Sequence, residues 1–204
     1  LPTWRKRKPV VFWRGTATGA LGPGGYRDLP RVRLALMCRD HPWADAKICN
    51  VPQQLRPHHD PAVVTEELRA SGALAEWVPM AEFARRRFTV DIDGNSNAWG
   101  LVEKMLLGLC ILKVETPWSQ WFYDRIRPWE HYVPVRADLS DLPGRIDWCL
   151  AHDSEAAAIA ERAQRLALEM DFETEMAAGA RAAAAVLRPC TVDLAAMGLS
   201  AIGG

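Results

Sequence analysis

The 204-residue sequence has no net charge, since 25 Lys and Arg are matched by 25 Asp and Glu. That balance removes the long-range field that draws a protein to nucleic acid or an anionic membrane. It has no apolar run of the ~18 residues a membrane span needs, and no visible signal peptide. It has no C-x-x-C pair. Its five cysteines (Cys38, Cys49, Cys110, Cys149 and Cys190) are scattered among apolar neighbours, as buried thiols of a reducing compartment would be, and a zinc site is not expected. There is no internal repeat, no G-x-G-x-x-G fingerprint, no Walker loop and no nucleophile elbow, so dinucleotide, P-loop and hydrolase chemistry are all disfavoured. The chain opens on Leu1 just ahead of a strand-like segment, which reads as the edge of a fragment; an address or anchor encoded upstream would not be seen here.

What is present is an alternation of β-rich runs with helical stretches, the pattern of an α/β domain with a mainly parallel sheet. Val10–Trp13 reads as a buried strand opening into Arg14-Gly15-Thr16 and a loop, Gly19 to Gly25, that contains four glycines. A helix follows Pro30, across Arg31–Arg39. Lys47–Val51 is a candidate strand, Pro61–Ala70 a helix and Trp77–Met80 a short strand. Phe88–Ile92 alternates apolar with polar residues, as a strand does. Asp93–Ser96 is a turn, and Leu101, Val102, Met105, Leu106 and Leu109 recur at helical spacing. Gly108 falls near the helix end, and Ile111–Glu115 completes a strand–helix–strand crossover. His131–Val135 is expected as a further strand, Asp138–Asp141 as a capped helix start, and Asp153–Leu187 as one long or kinked helix before a fraying Gly-rich end. The domain reading is a Rossmann-like unit over 1–152 with a helical segment, 153–204, packed on it.

Two segments sit where ligands settle in such sheets, at strand ends near helix starts. Arg14 can fork hydrogen bonds to a phosphate, with Thr16 and Thr18 adding hydroxyls; the alternative is a polar loop whose arginine makes a structural salt bridge. Asp93-Gly94-Asn95-Ser96-Asn97 follows a strand and opens a helix, where free N–H groups favour an anion; the alternative is simple capping. Of Arg27, Arg31 and Arg33, Arg31 is the preferred inward-facing residue, because residues two apart on a helix face different ways. The basic stretches Arg5–Lys8 and Arg85–Arg87 read as solvated surface, and His58-His59 as a solvent loop. The nine tryptophans read mainly as packing residues. Trp99 is the exception, just inside the candidate phosphate helix.

Phe12-Trp13-Arg14-Gly15-Thr16-Ala17-Thr18-Gly19 resembles the F-R-G-[ST]-x-T segment of glycosyltransferase family 90, which includes capsule-associated and Rumi-like protein O-glucosyltransferases. Pro30–Leu34 is similar to the family's arginine-bearing segment, and Asp91–Trp99 to its glycine-containing loop. Trp121–Asp124, Pro128–Val135 and Asp138–Ser140 resemble its late region, so the likeness runs from about Val10 to Glu161.

The resemblance implies a GT-B architecture of paired Rossmann-like domains, with this chain mainly the C-terminal, donor-holding half. It implies an inverting transfer of glucose or xylose from a UDP-sugar, without a metal or other cofactor. The acceptor would be a hydroxyl of a glycan, lipopolysaccharide or protein. Carried over by motif, Arg14, Thr16 and Arg31 would contact the donor, and Gly94, Asn95, Ser96, Asn97 and Trp99 would wrap the nucleotide. Some relatives carry arginine near Gly100, which implies that one phosphate contact is either absent here or supplied by Lys104. The relatives' aspartate base lies upstream of the Arg-Gly-Thr segment, so no catalytic residue is assigned in this chain, and a missing N-terminal domain is expected to supply it. The setting implied is cytoplasmic, or peripheral to a membrane. The alternative is a nucleotide-sugar-binding module, truncated or degenerate, that lacks catalysis.

Overall fold

The computed structural model describes residues 1–55 and 58–187. Its centre is a five-stranded sheet in the order β2-β1-β3-β4-β5, parallel throughout. The strands are β1 (Lys8–Thr16), β2 (Ala44–Asn50), β3 (Arg86–Asp91), β4 (Cys110–Val114) and β5 (Val133–Val135). Side chains alternate across a strand, and the sequence uses this to build two faces. Val11, Trp13, Phe88, Val90, Cys110, Leu112 and Val114 join one core. The helices α1 (Pro30–Cys38), α2 (Pro61–Ala70), α4 (Leu142–Ala151) and α5 (Asp153–Leu168) contribute Val32, Val64, Ile146 and Ile159 to it. Phe12 turns to the opposite face, where it meets Phe83 edge-on with ring centroids 5.0 Å apart. Parallel sheets are normally covered on both faces. Here the second cover includes a 3-10 helix, Met80–Arg85, and α3 (Leu101–Leu106).

The expected strand at Trp77–Met80 does not form. Pro79 has no N–H for a ladder, Trp77 is exposed, and the segment leads into the 3-10 helix instead. Strand-like pairing occurs earlier, as one parallel bridge between Ile48 and Leu74. The strand expected from His131 starts only at Val133, because Trp129 N–H donates to the Tyr132 carbonyl at 2.7 Å and closes residues 129–132 into a turn. The Asp138–Asp141 cap is also corrected. Asp141 makes no side-chain cap to α4; its carboxylate accepts from Arg136 N–H at 2.9 Å, and Asp138 accepts from Ser140 N–H at 2.9 Å. The long C-terminal helix is two, α5 and α6 (Phe172–Leu187), with Asp171 accepting from Thr174 N–H ahead of the second.

By contacts the chain divides into residues 1–167 and 168–204. Ala156, Ile159 and Ala160 of α5 belong to the core of the first unit. The expected fraying of the Gly-rich end, and Cys190, lie outside the described residues. Cys38, Cys49, Cys110 and Cys149 are free thiols, and burial pushes Cys38 up to about 12. No described helix is long and apolar enough to cross a membrane.

Candidate functional site

Chain order reverses between β1 and β3: from β1 the sheet grows first to β2 and then, on the other side, to β3. At such a switch point the loops leaving two neighbouring strands diverge and open a crevice at their carboxyl ends. The loop after β1 runs through Ala17–Leu29, and the loop after β3 through Ile92–Gly100.

Arg31 ties these loops together. It is the second residue of α1, behind Pro30, and its guanidinium reaches the end of β3. Nε donates to the carbonyls of Ile92 (3.3 Å) and Asp93 (3.1 Å), Nη2 to Ile92 (3.1 Å), and Nη1 to Thr18 Oγ1 (3.1 Å). A guanidinium has five N–H donors, so each terminal nitrogen keeps one N–H beyond these bonds. Gly19 N–H donates to Asn95 Oδ1 at 3.0 Å, a second link between the loops. Gly94 is required by contact: a Cβ there would lie 2.4 Å from Thr18 Oγ1 and 3.0 Å from Arg31 Cζ. The result is a crevice of about 300 Å³ lined by Thr18, Arg31, Gly94, Asn95, Ser96, Asn97 and Trp99. Burial lowers the pKa of Arg31, opposed by the carboxylates of Asp91 and Asp93; guanidinium stays charged regardless. The crevice therefore presents one fixed cation among amides and hydroxyls, a setting that suits an anionic group needing hydrogen bonds from several directions.

The structure brings Arg31, Gly94, Asn95, Ser96, Asn97 and Trp99 together as the sequence suggests, and with them Thr18 of the first segment. It does not bring Arg14 or Thr16 to this lining. Arg14 follows the alternation of β1 and lies over the Phe12 ring, 4.3 Å from its centroid. Its guanidinium donates to the Asp45 carbonyl (2.7 Å) and carboxylate (2.9 Å) on β2, which is the structural salt bridge weighed as its alternative. Thr16 ends β1, and its carbonyl accepts from Thr18 N–H at 2.9 Å. The helix-tip reading of the second loop is corrected as well: α3 has six residues and begins at Leu101, so Asn95–Asn97 sit in irregular loop and Trp99, 82% exposed, precedes the helix. Lys104 cannot replace a phosphate-binding arginine. It is buried, with Nζ 2.7 Å from Asp91 Oδ1. Arg27 pairs with Glu67, and Arg33 donates to the Asp138 carbonyl. His59 is not purely solvent-facing, because its Nε2 accepts from Tyr26 N–H at 3.1 Å.

Sequence reasoning missed a buried charged cluster beside the crevice. Asp91, 1% exposed, lies between Lys104 and Lys113, the latter at 3.5 Å. Lys113 also donates to Tyr123 Oη at 3.2 Å, and Gln120 Nε2 joins Tyr123 Oη to the Ala98 carbonyl. The signal was available: Asp91 directly follows Val90 and precedes Ile92, and Lys113 interrupts the otherwise apolar Cys110–Val114; the two are register partners. Although burial alone would lower Lys113, Asp91 and Tyr123 hold its pKa above the ordinary lysine value. A second cavity of about 360 Å³ opens above this cluster at the ends of β4 and β5. Among the described residues, no group of three or more His, Cys, Asp or Glu could hold a metal ion.

Residues 1–175 match the sequence profile described as Glycosyl transferase family 90. Over 167 residues the chain is 34% identical to protein 035R of Invertebrate iridescent virus 3, covering 79% of this chain and 15% of the viral protein. It is 29% identical over 169 residues to Protein O-glucosyltransferase 2 of Danio rerio, covering 81% of this chain and 30% of that protein. The chain thus spans less than a third of the length of these curated relatives. Among solved structures, Anabaena HepE in complex with UDP superposes with a TM-score of 0.56 at 15% identity, over 85% of this chain and 49% of that one. The fold is the Rossmann-like α/β fold of GT-B glycosyltransferases.

Proposed function

Since the chain belongs to glycosyl transferase family 90, we propose that it is the donor-binding part of an inverting UDP-sugar transferase, and that the β1–β3 crevice cradles the donor diphosphate. The observation that carries this is Arg31. Its side chain is held by three loop carbonyl contacts and Thr18, yet keeps a free N–H on each terminal nitrogen at the switch point of a parallel sheet. A guanidinium fixed in this way stabilises the charge that develops on a departing diphosphate without reorganising during the reaction. Asn95, Ser96 and Asn97 supply hydrogen-bond partners around the same anion, and Trp99 offers an exposed face to the rest of the nucleotide. UDP is named because the Anabaena relative was solved with it and because the family resemblance implies a UDP-sugar.

No residue of the chain is given the role of base. Deprotonating an acceptor hydroxyl needs a carboxylate facing the donor, and in this reading it comes from polypeptide outside these residues, as does recognition of a glycan, lipopolysaccharide or protein acceptor. The transfer is proposed to run without a metal, with Arg31 neutralising the leaving group.

Calorimetric titration with UDP tests the reading. Arg31→Ala is expected to weaken binding by about 1.5–3 kcal/mol, the range for a hydrogen bond to a charged group. UDP affinity equal in the two proteins would remove the diphosphate from this crevice.

A further inference from the structure

At the amino ends of β1 and β4, the far end of the sheet from the crevice, Arg7 is buried without a counter-charge. It is 7% exposed. Its Nε donates to the Pro2 carbonyl at 3.0 Å and its Nη1 to the Gly108 carbonyl at 2.7 Å. Carbonyls hold the guanidinium in place but bring no net charge, and no carboxylate among the described residues forms an ion pair with it. Burial lowers its pKa, with no neighbouring charge opposing the effect. Buried charges are ordinarily paired; Arg14 and Arg87, both partly buried, each have an aspartate.

The unused donors of Arg7 face open space. Two of its five N–H groups are taken, and Nη2 makes no hydrogen bond among the described residues. No buried side-chain nitrogen or oxygen among them lacks a partner, so Nη2 keeps an accessible surface. Arg7 lines a cavity of about 370 Å³, together with Pro2, Trp4, Ala157, Ala160 and Glu161. Its walls are fixed. The Trp4 indole N–H donates to Asp153 Oδ1 at 3.0 Å, Arg87 Nε to the Trp4 carbonyl at 3.2 Å, and Gln164 Nε2 to the Leu106 carbonyl at 2.7 Å.

A planar guanidinium fork suits an oxyanion, either carboxylate or phosphate. The walls choose between them. Arg7 is the one side-chain cation in the lining, and Glu161 adds a negative charge whose partner, Arg165 at 3.1 Å, is exposed. A doubly charged phosphate would leave charge unanswered beside Glu161. A monocarboxylate needs Arg7 alone, and a hydrocarbon body would cover Pro2, Trp4, Ala157 and Ala160. The volume is at the small end for ligand pockets, so the body is about one ring.

We propose that this cavity binds a small monocarboxylate with an apolar body, clasped by Arg7, at a site separate from the β1–β3 crevice.

Chemical-shift mapping of the labelled chain with phenylacetate, phenylacetamide and inorganic phosphate tests this. Phenylacetate is expected to move the Arg7 Nε–H, the Gly108 amide and the Trp4 indole N–H saturably. Phenylacetamide, which has the same shape without the charge, and phosphate should each bind about tenfold more weakly. Ala157→Leu places a good helix former on α5 and fills the cavity without removing the guanidinium. It should keep the wild-type urea midpoint and weaken phenylacetate about tenfold. The proposal is overturned if phenylacetate does not saturate these signals, if phenylacetamide or phosphate binds as tightly, or if folded Ala157→Leu keeps wild-type affinity. The three ligands on wild type decide the matter even if that variant does not fold.

Discussion

Arg14 and Arg31 both stand near the carboxyl end of β1 or just beyond it, and a motif alone gives them the same role. Their surroundings separate them. Arg14 is drawn to Asp45 on the neighbouring strand, whereas Arg31 bridges two loops and lines the crevice. Arg14→Ala is therefore expected to lower stability by about 1–3 kcal/mol, leaving Asp45 without its partner, and to leave UDP affinity unchanged. Urea denaturation and calorimetry on the same variant check both halves. Gly94→Ala should behave in the reverse way. Its new methyl meets Thr18 Oγ1 and the Arg31 guanidinium, so these must move and UDP binding should fall about tenfold, on the scale of a strained small-to-large change. Wild-type affinity in Gly94→Ala would show that the two side chains do not need their present positions. The buried cluster answers to a third substitution. Asp91→Asn leaves two buried ammonium groups, Lys104 and Lys113, without a counter-charge, and breaking a buried pair in this way costs about 3–5 kcal/mol. A denaturation midpoint equal to wild type would contradict that account.

Between elements, the glycine-rich loop is anchored by Tyr26, whose hydroxyl donates to the Glu67 carboxylate on α2. Burial, and then this hydrogen bond, push Tyr26 up to about 12 from its ordinary value of 10.0. The folded protein thus holds this proton to higher pH than the unfolded chain does. Stability should fall as pH rises from about 10 to 12, as the anchor is lost. Tyr26→Phe should show a smaller fall in its urea midpoint over the same interval; an identical fall would assign the alkaline loss elsewhere.

The elements also show what the sequence could reveal. Pro61–Ala70 was legible to the residue because Asp60 caps it and Pro61 begins it. The strands read at Phe88–Ile92, from its alternation of apolar and polar residues, and at Ile111–Glu115 were legible to within two residues of their observed bounds, Arg86–Asp91 and Cys110–Val114. The short pieces were not. Met80–Arg85 and the turn before Val133 are decided by single backbone hydrogen bonds and by Pro79, which periodicity does not register. The helix expected directly after Asn97 is delayed to Leu101 because the Asp93 carboxylate accepts from Ala98 N–H at 2.9 Å and holds the loop open.

At the scale of the molecule, a parallel sheet in the order β2-β1-β3-β4-β5 places its ligand-facing loops at one edge, and that much follows from the alternation of strand and helix in the sequence. Which arginine reaches that edge does not, because it depends on side-chain alternation along β1 and on the turn that starts α1. Two openings along the edge, of about 300 and 360 Å³, are separated by a wall that joins Asp93 to Thr116 and Ala98 to Gln120. The chain covers 30% of its Danio rerio relative.

The central claim is that the diphosphate binds between the loops after β1 and β3. Amide chemical-shift mapping of the isotopically labelled chain during a UDP titration tests it most directly. The account predicts the largest shifts at Gly19 and at Gly94, Asn95, Ser96 and Asn97, together with the side-chain N–H signals of Arg31. Shifts confined to the opposite edge of the sheet, around Trp4, Arg7 and Gly108, with those loop amides unmoved, would contradict it.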